Sequence, residues 1–244
     1  MRFFAIADPH LSRAHPKPMD IFGDHWQGHP ELFFQRWREH VHEDDVVLIP
    51  GDISWAMKLE QALLDLQDIA DLPGKKVLLR GNHDYWWTSV SKVRRALPEG
   101  MYALQHDALQ FGDVVITGTR AWECPGSLRF DEDDAKIYHR ELERLKLALR
   151  AADALSGRVR IVMLHFPPMN ALLEPSGFSE LLLEYRPDII VFGHVHGETE
   201  QSRRRVPQSL GDSVLHFVAA DALQFTPKLI LDTDAVASFL PLQH

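Results

Sequence analysis

Five short apolar runs in this chain end in side chains able to bind metals. "RFFAIA" runs into Asp8-Pro9-His10 and "VVLIP" into Gly51-Asp52. "KVLLR" runs into Gly81-Asn82-His83-Asp84, "RIVML" into His165, and "DIIVF" into Gly193-His194-Val195-His196. Runs this short, rich in β-branched residues, Leu and Phe, read as fully buried strands. "DVVITGT" and "VLHFVA" read the same way. In open α/β sheets the loops beyond the carboxyl ends of parallel strands share one rim. The order of the runs therefore gathers groups that lie between residues 8 and 196.

Helical patterns lie between the runs. Leu32, Phe33, Trp37 and Val41 fit one helix face. Leu59, Leu63, Leu66 and Ile69 fit another, which "LPGK" stops. A longer helix is expected from about Asp133 to Leu155, with Ile137, Leu142, Leu145 and Leu149 on one stripe. The "DEDD" ahead of it sits at the positive end of the helix dipole and reads as a solvated helix start, not a metal site. Strands alternating with helices predict an α/β layered fold with mostly parallel pairing. From about Glu198 to Leu240 the pattern reads as hairpins. With no repeat or linker in view, one domain over residues 1–244 is expected.

Composition narrows the function. At 45% hydrophobic and 25% charged, the 244 residues can build a sizeable core. Lys and Arg total 26 against 35 Asp and Glu, a net charge of −9 that attracts neither nucleic acid nor an anionic membrane. The strongest basic run, Arg203 to Arg205, reads as a solvated hairpin tip. Cys124 is the single cysteine, so neither an intramolecular disulfide nor a thiolate zinc cluster can form. It is expected to be a buried, inert thiol. "MRFFAIADPH" reaches polar residues too early for a signal peptide or a spanning helix, which makes a cytoplasmic location the expectation.

Imidazole, carboxylate and carboxamide oxygen together suit Mn, Fe, Zn, Co or Ni. Residues two apart on an extended segment point to the same side, so Asp8 and His10 can converge, as can His194 and His196. Pro9 is expected to hold Asp8 extended. Glycines ahead of Asp52, Asn82 and His194 allow sharp turns and close approach. Each motif alone is ordinary; together, in order and each at a strand end, they point to a metal centre.

In that order and context the motifs resemble those of the calcineurin-like metallophosphoesterases, over residues 3 to about 196. "GDISWAMK" and "GNHDYWW" resemble most a bacterial subgroup of predicted phosphohydrolases. The resemblance implies a four-layer αββα sandwich: two mixed sheets flanked by helices, with the metal site at strand C-terminal ends. It also implies two divalent transition-metal ions. Asp8, His10, Asp52 and His196 would hold the first, and Asp52 would bridge to the second, completed by Asn82, His165 and His194. The implied activity is hydrolysis of a small phosphomonoester or phosphodiester by in-line attack of a metal-bridging hydroxide. His83 would assist the leaving group, and Asp84 would hydrogen-bond its ring. A nuclease of the same family is one alternative, but it wants a basic groove that this composition does not offer. A non-catalytic metal-binding scaffold is another, but it is expected to lose ligands or the catalytic histidine, and none is missing here.

Substrate contacts are expected from Trp55 and Trp86 at the cleft rim. At least one of Trp86 and Trp87 is expected to start a helix and pack against the core. Arg120 is placed either on a phosphate or in a surface ion pair. The polar loop from Leu11 to Pro30 reads as a lid or as plain surface.

Overall fold

The computed structural model describes residues 1–128, 130–197 and 207–237. Every strand read from the sequence is present. These are β1 (Arg2–Ala5), β2 (Val46–Pro50), β3 (Lys75–Leu79), β6 (Val114–Thr119), β7 (Val159–Leu164), β8 (Ile189–Phe192) and β10 (Ser213–Phe217). Four short strands lack a clear sequence signal: β4 (Met101–Leu104), β5 (Ala108–Phe111), β9 (Ser209–Leu210) and β11 (Lys228–Asp232). The first sheet has the order β11-β1-β2-β3-β4 and the second β5-β6-β7-β8-β10-β9. Both are mixed. β1 to β4 are parallel with β11 antiparallel at one edge, while β6, β7, β8 and β10 are parallel between antiparallel β5 and β9.

Burial explains the layers. Phe3, Ala5, Val46, Leu48 and Val77 alternate onto the inner face of the first sheet, where they meet Val114, Ile116, Ile161, Met163 and Val191 of the second. The alternate residues Phe4, Val47, Ile49 and Leu78 face outward onto α1 (His29–His40) and α2 (Leu59–Ala70), through Phe33, Trp37, Leu66 and Ile69. On the other side Val162, Leu164, Ile190 and Phe192 pack on α4 (Glu132–Asp153) and α5 (Gly177–Tyr185), through Leu145, Leu149, Phe178 and Leu182. The result is the expected αββα sandwich. α3 (Val90–Ala96) precedes β4.

The acidic run before α4 caps the helix. Asp131 accepts from the N–H groups of Asp133 and Asp134, and Asp134 accepts from the Asp131 N–H, a reciprocal capping box. Cys124 is a free, buried thiol, and burial pushes it up to about 11. None of the described helices is long and apolar enough to cross a membrane.

The tail departs in part from the hairpin expectation. β9 and β10 do form a hairpin, but β10 also lies parallel to β8, and β11 returns to the first sheet beside β1. Arg203 to Arg205 lie outside the described residues. The tryptophan pair is also corrected. Trp86 and Trp87 precede α3 in a turn, and both are fully buried at 0% exposure, so Trp86 does not reach a cleft rim. Trp86 Nε1 donates to Asp84 Oδ1 at 3.0 Å, and Trp87 Nε1 to Gln105 Oε1 at 2.9 Å. Trp86→Phe therefore loses a hydrogen bond to a buried carboxylate and is expected to cost about 2 kcal/mol in denaturant unfolding.

Candidate metal centre

The ligand-bearing loops leave their strands by tight backbone turns. Asp8 (φ 61°), His10 (φ 47°), Asp52 (φ 51°) and His194 (φ 72°) all adopt left-handed backbone. This corrects the expectation that Asp8 is extended and that ligand pairs converge by strand alternation. Each such residue costs about 1–3 kcal/mol and persists only where its surroundings over-determine it. The surroundings here are backbone bonds between neighbouring loops: Asp8 N–H to Gly51 O at 3.0 Å, His10 N–H to Asp52 O at 3.1 Å, and Gly193 N–H to His165 O at 3.1 Å. Two glycines make room. A Cβ on Gly81 would collide with Asp52, and one on Gly193 with the Asp8 carboxylate and the Ala7 side chain.

The side chains converge in two groups: Asp8, His10 and His196, and Asp52, His165 and His194. Asp52 reaches both. Its Oδ2 lies 3.8 Å from His10 Nε2, and its Oδ1 lies 3.5 Å from His165 Nε2. Asn82 joins the second group, its Oδ1 2.6 Å from His165 Nε2. All seven sequence-predicted ligands are thus brought to one place by five different strand ends.

Hydrogen bonding identifies the free lone pairs. His165 Nδ1 lies 2.8 Å from the Pro50 carbonyl, which can only accept, so Nδ1 carries the proton. Its Nε2 is then a bare lone pair facing the Asn82 oxygen and Asp52 Oδ1. Three acceptors with no proton between them repel one another unless a cation sits among them. His196 follows the same logic: its Nδ1 faces Asp221 Oδ1 at 3.2 Å, leaving Nε2 toward His10 Nε2 at 3.1 Å and Asp8 Oδ1 at 3.9 Å. Asp8 Oδ1 is buried with no hydrogen-bond partner among the described residues. The donor set fits divalent metal ions.

Burial sets the charge states. It pushes His165 down to about 3 and His194 to about 2, with neighbouring positive groups adding to the effect, so both rings are neutral and able to coordinate. Burial drives His10 well below its ordinary range. His196 goes the other way: burial lowers it, but the Asp221 hydrogen bond and the nearby carboxylates outweigh that. Asp8 rises well above the carboxylate range, chiefly through burial and also through the Asp52 charge.

Asp221 went unnoticed in the sequence because it follows β10 at "VAADA", a stretch with no recognisable motif. It arrives through the joint between the sheets. Ala7 N–H donates to Val218 O at 2.7 Å and Ala220 N–H to Ala7 O at 2.9 Å. Besides His196, Asp221 accepts from the Gly197 N–H at 2.9 Å. A carboxylate behind a metal-binding histidine fixes its tautomer and ring orientation.

Around the ligands the expectations divide. His83 borders the first group, its ring centroid 5.9 Å from that of His10, and its backbone N–H donates to Asp52 Oδ1 at 2.8 Å. The expected Asp84–His83 hydrogen bond is not formed. Asp84 is fully occupied elsewhere, accepting from the N–H groups of Ile53, Ser54 and Gly81 and from Trp86 Nε1. It fastens the two loops together and does not orient the His83 ring, whose Nδ1 has no partner among the described residues. Burial and then the Asp52 charge push Asp84 up to about 7, against those donors. Burial also lowers His83, opposite to the expected gain in imidazolium.

Trp55 stacks on His10 with centroids 4.8 Å apart and lies 4.5 Å from His83, and the Lys17 ammonium sits 3.2 Å above its ring. The Arg120 guanidinium lies 3.5 Å from the buried Glu141 carboxylate and 4.3 Å from the Trp122 ring centroid. In the loop from Leu11 to Pro30, Trp26 is buried edge-on to His10 and His196, a fixed wall behind the ligands.

The sequence matches the family model of the calcineurin-like phosphoesterases over residues 1–198. The chain belongs to the calcineurin-like phosphoesterases. Their fold and their affinity for divalent metals are those described above. The solved phosphopantetheinyl hydrolase of Mycobacterium tuberculosis is 14% identical with a TM-score of 0.58, the match covering 94% of this chain and 95% of that one. The calcineurin-like phosphoesterase YfkN of Bacillus subtilis is 12% identical with a TM-score of 0.52, covering 90% of this chain and 80% of that one. At such identities these likenesses bear on the fold alone. No match was found among curated proteins.

As a calcineurin-like phosphoesterase the protein is expected to gain thermal stability when Mn or Zn is added after chelation, because ligand binding to the folded state alone raises its stability. Asp221→Asn is expected to weaken metal affinity about 10–100-fold, read by competition with a chromogenic chelator. An unchanged affinity would show that Asp221 does not support His196.

Proposed function

We propose that the protein hydrolyses a small phosphoric ester at a two-metal centre. The observation that carries this reading is the position of Asp52, with one carboxylate oxygen toward each ligand group. Asp8, His10, Asp52 and His196 would hold one ion, and Asp52, Asn82, His165 and His194 the other. Mn, Fe, Zn, Co and Ni all suit this donor set. Such ions supply positive charge to phosphoryl oxygens and lower the pKa of a coordinated water.

The chain's own residues do the rest. The neutral rings of His10, His165 and His194 and the carboxyl groups of Asp8 and Asp52 present lone pairs where the charge is needed. Trp26 walls the first group and keeps bulk water from its back, and Trp55 stacks on His10 beside it. His83 stands beside that group, in place to assist the departing oxygen. No nucleophilic side chain is called for, and Cys124 is too buried and too high in pKa to serve as one.

The test is release of p-nitrophenol from p-nitrophenyl phosphate and bis-p-nitrophenyl phosphate by chelated, then Mn-reconstituted protein. Turnover is expected only with metal, and Asp52→Asn is expected to abolish it. His83→Asn is expected to lower kcat about 10²–10⁴-fold with metal content unchanged, least for this good leaving group. Equal kcat in the wild-type and His83→Asn proteins would remove His83 from the reaction.

A further inference from the structure

A cavity of about 800 Å³ opens beside the second ligand group. Its wall includes His194 itself, together with Trp122, Phe166, Met169, Phe192 and Phe217. The Phe166 ring centroid lies 3.8 Å from that of His194, so the apolar space begins one ring away from a candidate ligand. Neither His83 nor Trp55 is part of this wall. Those two gather instead about His10, at the first group.

Two polar side chains of the wall, Trp122 and Asn170, are already engaged within the protein. Trp122 Nε1 donates to Asp134 at 2.9 Å. The Asn170 amide donates to Pro125 O at 3.0 Å and Glu174 at 2.6 Å, and its oxygen accepts from the N–H groups of Leu172 and Glu174. Most of what faces the space is carbon, and among the described residues Glu123 is the one acidic residue of the lining. Such a wall favours a neutral apolar group and opposes a second phosphate. Cavities of roughly 300–1,000 Å³ with mostly apolar walls are the usual size for an organic ligand.

We propose that this cavity holds an apolar alkyl or aryl group that stays on phosphorus while the leaving group departs on the His83 side. The substrate class is then a phosphodiester with one neutral, apolar arm, an inference that rests on the phosphoesterase reading above. Water adds to phosphorus and the phosphorus–oxygen bond to the leaving alcohol breaks. The departing oxygen takes a proton, and the product is the phosphomonoester of the apolar alcohol.

Two measurements test this on Mn-loaded protein. The first compares p-nitrophenyl methyl phosphate with p-nitrophenyl hexyl phosphate, which share leaving group and charge. The expected gain in kcat/KM is about fourfold for each methylene buried. In Met169→Asp and Leu172→Asp the hexyl-to-methyl ratio is expected to fall toward one, and because it is an internal ratio it does not depend on the fraction folded. The second needs no turnover: calorimetric binding of methylphosphonate against hexylphosphonate. Tighter binding of the hexyl compound, lost in both variants, supports the assignment even in a protein that hydrolyses neither ester, and would then overturn the phosphoesterase reading alone. Equal rates for the two esters, or equal or absent binding of the two phosphonates, would overturn the cavity assignment.

Discussion

Asp8 and Asp52 are desolvated together, at 0% and 1% exposure, and among the described residues their ion-pair partners are all histidines. Burying a carboxylate without a compensating charge is costly. Here burial also drives most of the surrounding imidazoles toward neutrality, so they do not offset that charge. The same desolvation that raises the carboxyls therefore leaves a set of lone pairs converging on one volume. Divalent cations resolve this conflict, and the architecture around the site serves to maintain it.

The maintenance is mechanical. Four ligand residues hold left-handed backbone, which a free loop would relax. They keep it because each loop is bonded to its neighbour, and because β1, β2, β3, β7 and β8 are fixed by the inner core between the sheets. Asp84 is one of the fasteners. Its four donors tie the turn after β3 to the turn after β2. Its closeness in sequence to His83 suggested a role at the ring, but its carboxylate points into the scaffold. Gly81 and Gly193 complete the arrangement by leaving the space that the Asp52 and Asp8 carboxylates occupy.

The two sides of the centre differ in chemistry. Around the first group lie His83, Trp55 and the Lys17 ammonium, a side with polar groups and positive charge. Beside the second lies a mostly carbon-lined space whose Trp122 and Asn170 side chains are hydrogen-bonded to Asp134 and Pro125. On the proposed reading, an ester bound between the two ligand groups would meet a polar wall at one end and an apolar wall at the other.

The sequence by itself determined the buried strands and the seven candidate ligands, while the sandwich followed from the resemblance that those motifs carry. The strands and the ligands are local signals: an apolar run has its own period, and a ligand directly follows the run that positions it. The edge strands β4, β5, β9 and β11 were not legible, since such short segments carry little pattern. What only the tertiary structure decided are relations between distant segments. Asp221 reaches His196 because the tail crosses the joint between the sheets. Trp86 is core and Trp55 only half-buried although both follow a ligand motif, because the turn after β3 joins the outer core and the turn after β2 passes beside His10. Which face of a loop meets solvent depends on what packs against it, and that information is not carried by neighbouring residues in the chain.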